Sequence, residues 1–414
     1  MTTRNTNHSG LGVSRQPSAI HFGPNQRFAL PGIVGSIGRR ALLCTDARMA
    51  SSDDFRSILA SLEDAAIEVT VYSEIQPDLP RSNIEELVSQ VGDKPIDVIV
   101  GIGGGSCLDM AKIASVLLTH GGKVSDYYGE FKVPGPTTPV ITVPTTGGTG
   151  AEVTCISVIY DADLRMKVGV ASPFLEPHTA IVDPVLTLSC PPALIAATGA
   201  DALSHLIEAF TGISKNPEPS AVNAHVYVGK NLLTDTYCRV GLDLLNRFLE
   251  RAYTAPHDLE ARSNTMLAAL NAGLSINTAG TAGAHAVQSP IGALTHTAHG
   301  MGVGALLPYV MRFNLPARVP EFAEMGRIFG VATPEQDEEL QAHSAIERVE
   351  QILATLGVPS DLEKLGLKEA DISTVAEQSL LATRLTANNP RELTTESVGY
   401  LLRKAHAGDR TWWS

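Results

Sequence analysis

From residue 19 to about 184, short β-branched runs alternate with stretches of helical spacing. The runs 41–45 (ALLCT), 69–73 (VTVYS), 97–102 (DVIVGI), 139–144 (PVITVP) and 179–183 (TAIVD) read as strands. Between them, 53–66 and 82–91 carry apolar residues at helical spacing, the second opened by Ser82 as N-cap. This alternation predicts a parallel sheet with helices on both faces, a Rossmann-like α/β domain. Segment 155–172 breaks the pattern: two extended runs flank Asp161-Ala162-Asp163, which predicts a hairpin appended to the sheet. After Pro191-Pro192 strand signals almost vanish, and 193–211, 227–253, 258–277 and 344–356 read as long helices. The expected organisation is therefore a disordered polar tail over 1–18, an α/β domain over 19–190 and an all-α domain over 191–414.

Composition narrows the function classes. A chain of 414 residues with 44% hydrophobic and 18% charged residues suits a buried globular enzyme of two domains. A net charge of −13, from 31 basic and 44 acidic side chains, excludes nucleic acid, whose binding rests on phosphate neutralisation. Cysteines 44, 107, 155, 190 and 238 lie far apart without a CxxC, which predicts reduced thiols in a cytoplasmic protein. No apolar run reaches the roughly 20 residues of a membrane helix. One segment stands out: residues 263 to 311 contain no Asp, Glu, Lys or Arg, yet hold His285, His296 and His299. Histidines in a buried uncharged stretch need partners, and a metal is one.

Two loops have the chemistry of a nucleotide cradle. Strand 97–102 runs through Gly103-Gly104-Gly105-Ser106 into a helical segment, so backbone N–H groups and a helix N-terminus can approach a phosphate. Ser106 and Asp109 have the N-cap and N3 spacing that would start this helix, and Asp109 is counted with the cofactor loop. The second loop, Pro144 to Gly150, offers Thr145, Thr146 and Thr149 to a ribose or pyrophosphate; a plain connection is the other reading. Asp46 ends strand 41–45, where a carboxylate would bind ribose hydroxyls and repel an extra phosphate, favouring NAD over NADP. It has the composition of a turn cap equally well.

Asp201 and His205 lie four apart in GADALSHLIEAF, on one face of a helix. Such a pair is common, and Asp201 has the alternative of capping the helix after Gly199. With the histidines of the charge-free stretch, one carboxylate and three imidazoles suit Fe²⁺ or Zn²⁺.

At these residues the chain resembles the iron-dependent (group III) alcohol dehydrogenase family. The matching segments are GGGSCLDMAK (103–112), PTTGGTGAEVT (144–154), GADALSHLIEAF (199–210) and HAVQSPIGALTHTAHGMGVGALLPYVMRFN (285–314), in family order over most of 19–400. The resemblance implies metal ligation by Asp201, His205, His285 and His299. It implies pyrophosphate contacts at Gly103, Gly104, Gly105 and Ser106, and nicotinamide or ribose contacts around Thr145, Thr146 and Thr149. Asp46 matches the position favouring NAD, and Lys167 resembles a lysine near the cofactor. The implied fold is a dinucleotide-binding α/β domain plus an all-helical domain with the active site between them. A homodimer or larger homo-oligomer is expected.

The chain departs from the pattern at Ser289, where many members carry a histidine in HxxxHP. Proton passage then falls to Ser289, His296, ribose hydroxyls or water. The segment 213–235 also looks longer than in compact members. The expected activity is hydride transfer between NAD(H) and a small primary alcohol or aldehyde. A hydroxy-acid dehydrogenase of the 4-hydroxybutyrate type, a transhydrogenase, a dehydroquinate-synthase-like lyase and a non-catalytic nucleotide-binding module are the alternatives. Because the ligand-bearing stretch lacks any cation, neutral substrates are expected over anionic ones.

Overall fold

The computed structural model describes residues 12–164, 166–215 and 217–413. Its first half is built on six parallel strands in the order β1-β9-β6-β4-β2-β3. These are β1 (Ala19–Phe22), β2 (Arg40–Cys44), β3 (Glu68–Tyr72), β4 (Val98–Gly103), β6 (Val140–Pro144) and β9 (Thr179–Val182). Register is fixed by pairs such as Ala41 with Val98 and Gly103 with Pro144. Along β2 the side chains alternate between two buried clusters. Ala41 and Leu43 face α1 (Leu30–Ile37), α2 (Ala47–Ala50) and α3 (Asp53–Asp64), while Leu42 and Cys44 face α4 (Arg81–Val91) and α5 (Gly105–His120). Burial on both faces explains why these strands read as continuous apolar runs.

The hairpin β7 (Ile156–Asp161) and β8 (Met166–Ala171) forms as expected, with one correction: it is not appended to the main sheet. It joins β5 (Gly129–Glu130) in a separate three-stranded sheet, order β5-β8-β7. Helix α4 starts one residue earlier than read, with Pro80 rather than Ser82 as N-cap. The tail is also corrected over 12–18. There Arg15 donates to the carbonyls of Val226 and Val222 at 2.9 and 2.8 Å, and Val13 O accepts from Thr278 Oγ1 at 2.9 Å. These long-range bonds leave no trace in local composition. Residues 1–11 lie outside the described residues.

The second half is helical: α6 (Pro192–Thr211), α7 (Leu232–Thr254), α8 (Leu259–Ala279), α9 (Gly283–Thr295), α10 (His299–Ile328), α11 (Glu338–Thr355), α12 (Ile372–Ser379), α13 (Thr383–Thr386) and α14 (Thr395–His406). Helix α7 begins later than the pattern suggests, because Asn231 caps it just after a short bridge between Ser214 and Gly229. Helix α6 packs against α7, α8 and α10 and is buried almost throughout. By length and composition it is apolar enough to cross a membrane, but it is the central helix of this bundle.

The halves meet along the loop after β6. Gly150 has φ +66°, and a Cβ there would lie 2.3 Å from Cα of Gly273 on α8. Gly150→Ala is expected to lower stability by about 2–4 kcal/mol through backbone strain and overlap. A melting temperature equal to wild type would show that the two backbones are not in obligatory contact.

Candidate metal centre and cofactor cleft

Helix α6 places Asp201, His205 and Glu208 on one face, four and then three residues apart. His285 comes from the first turn of α9 and His299 from the first residue of α10. The three imidazole Nε2 atoms converge on a single oxygen, Oδ1 of Asp201, at 3.6 Å from His205, 3.5 Å from His285 and 3.6 Å from His299. These separations are long for hydrogen bonds. They match the ligand–ligand spacing around a tetrahedral ion, which is about 3.4 Å for bonds near 2.1 Å. Asp201 Oδ1 and His285 Nε2 are moreover buried without a hydrogen-bond partner in the protein. Isolated buried polar atoms of this kind are costly, so the donor set fits a cation. Donor atoms of Asp201, His285 and His299 all lie within 4.8 Å of one another. His205 reaches the same carboxylate from one turn along α6 and stacks on His285 with ring centroids 4.8 Å apart.

The protonation states agree with this. Burial would raise Asp201, but the three surrounding imidazoles outweigh it and hold the carboxylate ionised. Burial lowers His205, and burial together with the charge of Lys167 and the other imidazoles lowers His299 to about 3, so both rings are neutral donors. Burial also opposes charge on His285, yet the carboxylates of Glu208 and Asp201 win and raise it to about 9. A metal ion competing for Nε2 therefore displaces a proton there.

Glu208 lies beyond the Asp201–His205 pair that the spacing of GADALSHLIEAF singles out. The available signal was its position three after His205 on the same helix face, in a segment otherwise apolar enough to be buried. Its Oε2 lies 2.6 Å from His285 Nδ1.

The cofactor residues gather at the C-terminal ends of β2, β4 and β6. Strand order reverses between β2 and β4, the position where open α/β sheets bind ligands. Gly103 has φ +151°, and a Cβ on it would lie 2.5 Å from Cys107 Sγ and 3.6 Å from Asp46 Oδ2. A Cβ on Gly105 would lie 2.9 Å from Thr149 Cγ2, and one on Gly104 3.8 Å from Thr146. Thr145 N–H donates to Gly103 O at 2.9 Å, so the glycine and threonine loops form one wall. Asp46 serves as N-cap of α2, its Oδ1 accepting from Met49 N–H at 2.8 Å. Its Oδ2 remains beside the glycine loop.

Two sequence expectations are corrected here. Helix α5 starts at Gly105 with Gly104 as N-cap, so Ser106 and Asp109 do not form its cap. Ser106 sits in the first turn instead. Asp109 points away from the cleft: Oδ2 accepts from Val158 N–H at 3.0 Å and Oδ1 lies 3.4 Å from the fully buried Lys112 Nζ. Its carboxylate holds the hairpin to α5. Lys167 pairs with Asp78 at 2.6 Å. Ser289 is half-buried one turn beyond His285, whereas His296 is exposed at the left-handed C-cap of α9, φ 54°. Neither belongs to the donor group of Asp201, His285 and His299.

The cofactor wall touches the metal helix directly. A Cβ on Gly148 would lie 2.5 Å from Cβ of Thr198, one turn before Asp201 on α6. A nucleotide on the loops and a metal among the histidines would share one cleft.

Comparison with known proteins agrees with this geometry. The chain is 31% identical over 367 residues to the NAD-dependent methanol dehydrogenase of Bacillus methanolicus, covering 89% of this chain and 92% of that one. It is 32% identical to the 1,3-propanediol dehydrogenase of Klebsiella pneumoniae, covering 94% and 97%. A crystal structure of 1,3-propanediol oxidoreductase superposes with a TM-score of 0.89 at 29% identity, over 95% of this chain and all of that one. Residues 17–184 match the model of iron-containing alcohol dehydrogenases, and 195–406 match the C-terminal model of the same family. The chain therefore belongs to the iron-containing alcohol dehydrogenase family.

Proposed function

We propose that this protein is a metal-dependent oxidoreductase that moves a hydride between NAD(H) and a small primary alcohol or aldehyde. The observation that carries the reading is the convergence of three Nε2 atoms on Asp201 Oδ1 beside the glycine and threonine loops. A divalent iron, or zinc, held by Asp201, His205, His285 and His299 would supply Lewis acidity toward the substrate oxygen, and NAD the hydride chemistry. Gly103, Gly104, Gly105 and Ser106 hold the pyrophosphate through backbone N–H groups, and their missing Cβ atoms permit the close approach. Thr145, Thr146 and Thr149 orient the nicotinamide ribose. Asp46 keeps an oxygen for ribose hydroxyls and excludes a phosphate by charge. The half-buried Ser289 passes the substrate proton outward, toward the exposed His296. Being a hydroxyl, Ser289 relays a proton but does not store one. Five buried, unpaired cysteines suit a reducing compartment, for which we propose the cytoplasm.

The cleft wall made by α9 and the start of α10 carries no formal charge, and Lys167, the cation whose charge acts on His299, is paired with Asp78. Burying an unpaired carboxylate there is costly. A lyase acting on a polyanion would need a cationic cluster that this wall lacks. The test is NADH formation with a panel of alcohols and Fe²⁺ under anaerobic conditions, pairing each short alcohol with its ω-carboxylated analogue. A neutral substrate is expected to win by about tenfold or more in kcat/KM. A clear preference for the carboxylate would contradict this and direct attention to Arg384, whose guanidinium lies over the Tyr227 ring beside Gly280.

A further inference from the structure

Glu208 performs no step in the scheme above, yet it is a carboxylate buried to 3% exposure in the most enclosed helix of the protein. It receives three short contacts. Oε2 accepts from Ala282 N–H at 2.8 Å and meets His285 Nδ1 at 2.6 Å, while Oε1 accepts from Ala284 N–H at 2.6 Å. Ala282 and Ala284 are the N-cap and second residue of α9, whose N–H groups have no partner within their own helix. An ionised carboxylate only accepts, and backbone amides only donate. The contact with His285 therefore requires the ring to donate from Nδ1. That leaves Nε2, 3.5 Å from Asp201 Oδ1, as the one ring nitrogen able to bind a metal.

We infer that Glu208 is a positioning residue for the metal centre. It selects the His285 tautomer, fixes the ring plane and fastens the start of α9 to α6, so that His285 meets Asp201 at ligand spacing. Its negative charge also strengthens the imidazole as a donor, the relation by which carboxylates support metal-bound histidines. The inference rests on the metal reading proposed above. Glutamine fits the space but not the bonding. With its oxygen toward His285 its NH₂ opposes Ala284 N–H, and in the flipped orientation it opposes both Ala282 N–H and the Nδ1 proton.

The test uses metal-free full-length protein titrated with Co²⁺, read by its visible absorption, alongside the melting temperature of each metal-free chain. Glu208→Gln is expected to weaken Co²⁺ binding about 10- to 100-fold and to alter the Co²⁺ spectrum. Its metal-free melting temperature should fall by a few degrees because a buried N–H loses its acceptor, but the affinity loss should persist well below that temperature, and Glu208→Asp should recover part of the affinity. Wild-type affinity and spectrum in Glu208→Gln would overturn the inference. So would an affinity loss that merely follows a fall in melting temperature and disappears on cooling, since that describes a structural cap. If wild type binds no Co²⁺ and His285→Ala behaves identically, the metal reading itself has failed, which is a separate result from a wild type that binds Co²⁺ indifferently to Glu208.

Discussion

Replacing His285 by alanine is expected to strip the metal from the protein and lower kcat/KM by about three orders of magnitude. The ring supplies one of the three imidazoles that surround Asp201 Oδ1, with His205 and His299 the other two. Losing the electrophile forfeits several kcal/mol of charge stabilisation in the transition state, and about 4 kcal/mol corresponds to that factor in rate. The fold should survive. Glu208 keeps its two backbone amide donors, and the sheet's apolar clusters are formed by residues 30–186 of the first half. Metal content per chain, NADH-linked turnover and far-UV circular dichroism check the three parts separately. Stoichiometric metal with normal turnover in the variant would remove His285 from the centre.

The second large effect is on cofactor choice. Wild type is expected to prefer NAD over NADP by about 100-fold, since a carboxylate facing a phosphate costs several kcal/mol. Asp46→Gly should reduce that ratio at least tenfold. The variant is a fair test because Asp46 also caps α2, and glycine at an N-cap costs only a few tenths of a kcal/mol. A melting temperature near wild type should therefore accompany the change in kcat/KM ratios. A wild type that already prefers NADP would show that Asp46 is a cap and nothing more.

Features carried by local periodicity were legible before the structure. Five of the six strands of the main sheet follow from short apolar, β-branched runs, the hairpin from the turn at Asp161, and the Asp201–His205 face from a spacing of four residues. His285 and His299 were found through an anomaly, the absence of charge around them, which marks burial. What the sequence hid is long-range pairing. Glu208 meets His285 across 77 positions, Lys167 meets Asp78 across 89, and Arg15 is held by carbonyls more than 200 residues away. Asp109 was misplaced for the same reason: its partner, Val158 N–H, belongs to a hairpin 49 residues on. Ser106 is not the cap because Gly104, two residues earlier, takes the extended conformation that starts α5 at Gly105.

Metal dependence is the property on which a single catalytic ion is tested most directly. Protein stripped by a chelator and titrated anaerobically with Fe²⁺ should regain alcohol-dependent NADH formation linearly, breaking sharply at one ion per chain. Full turnover in the stripped protein, or recovery with no such break, would contradict a single catalytic ion held by Asp201, His205, His285 and His299.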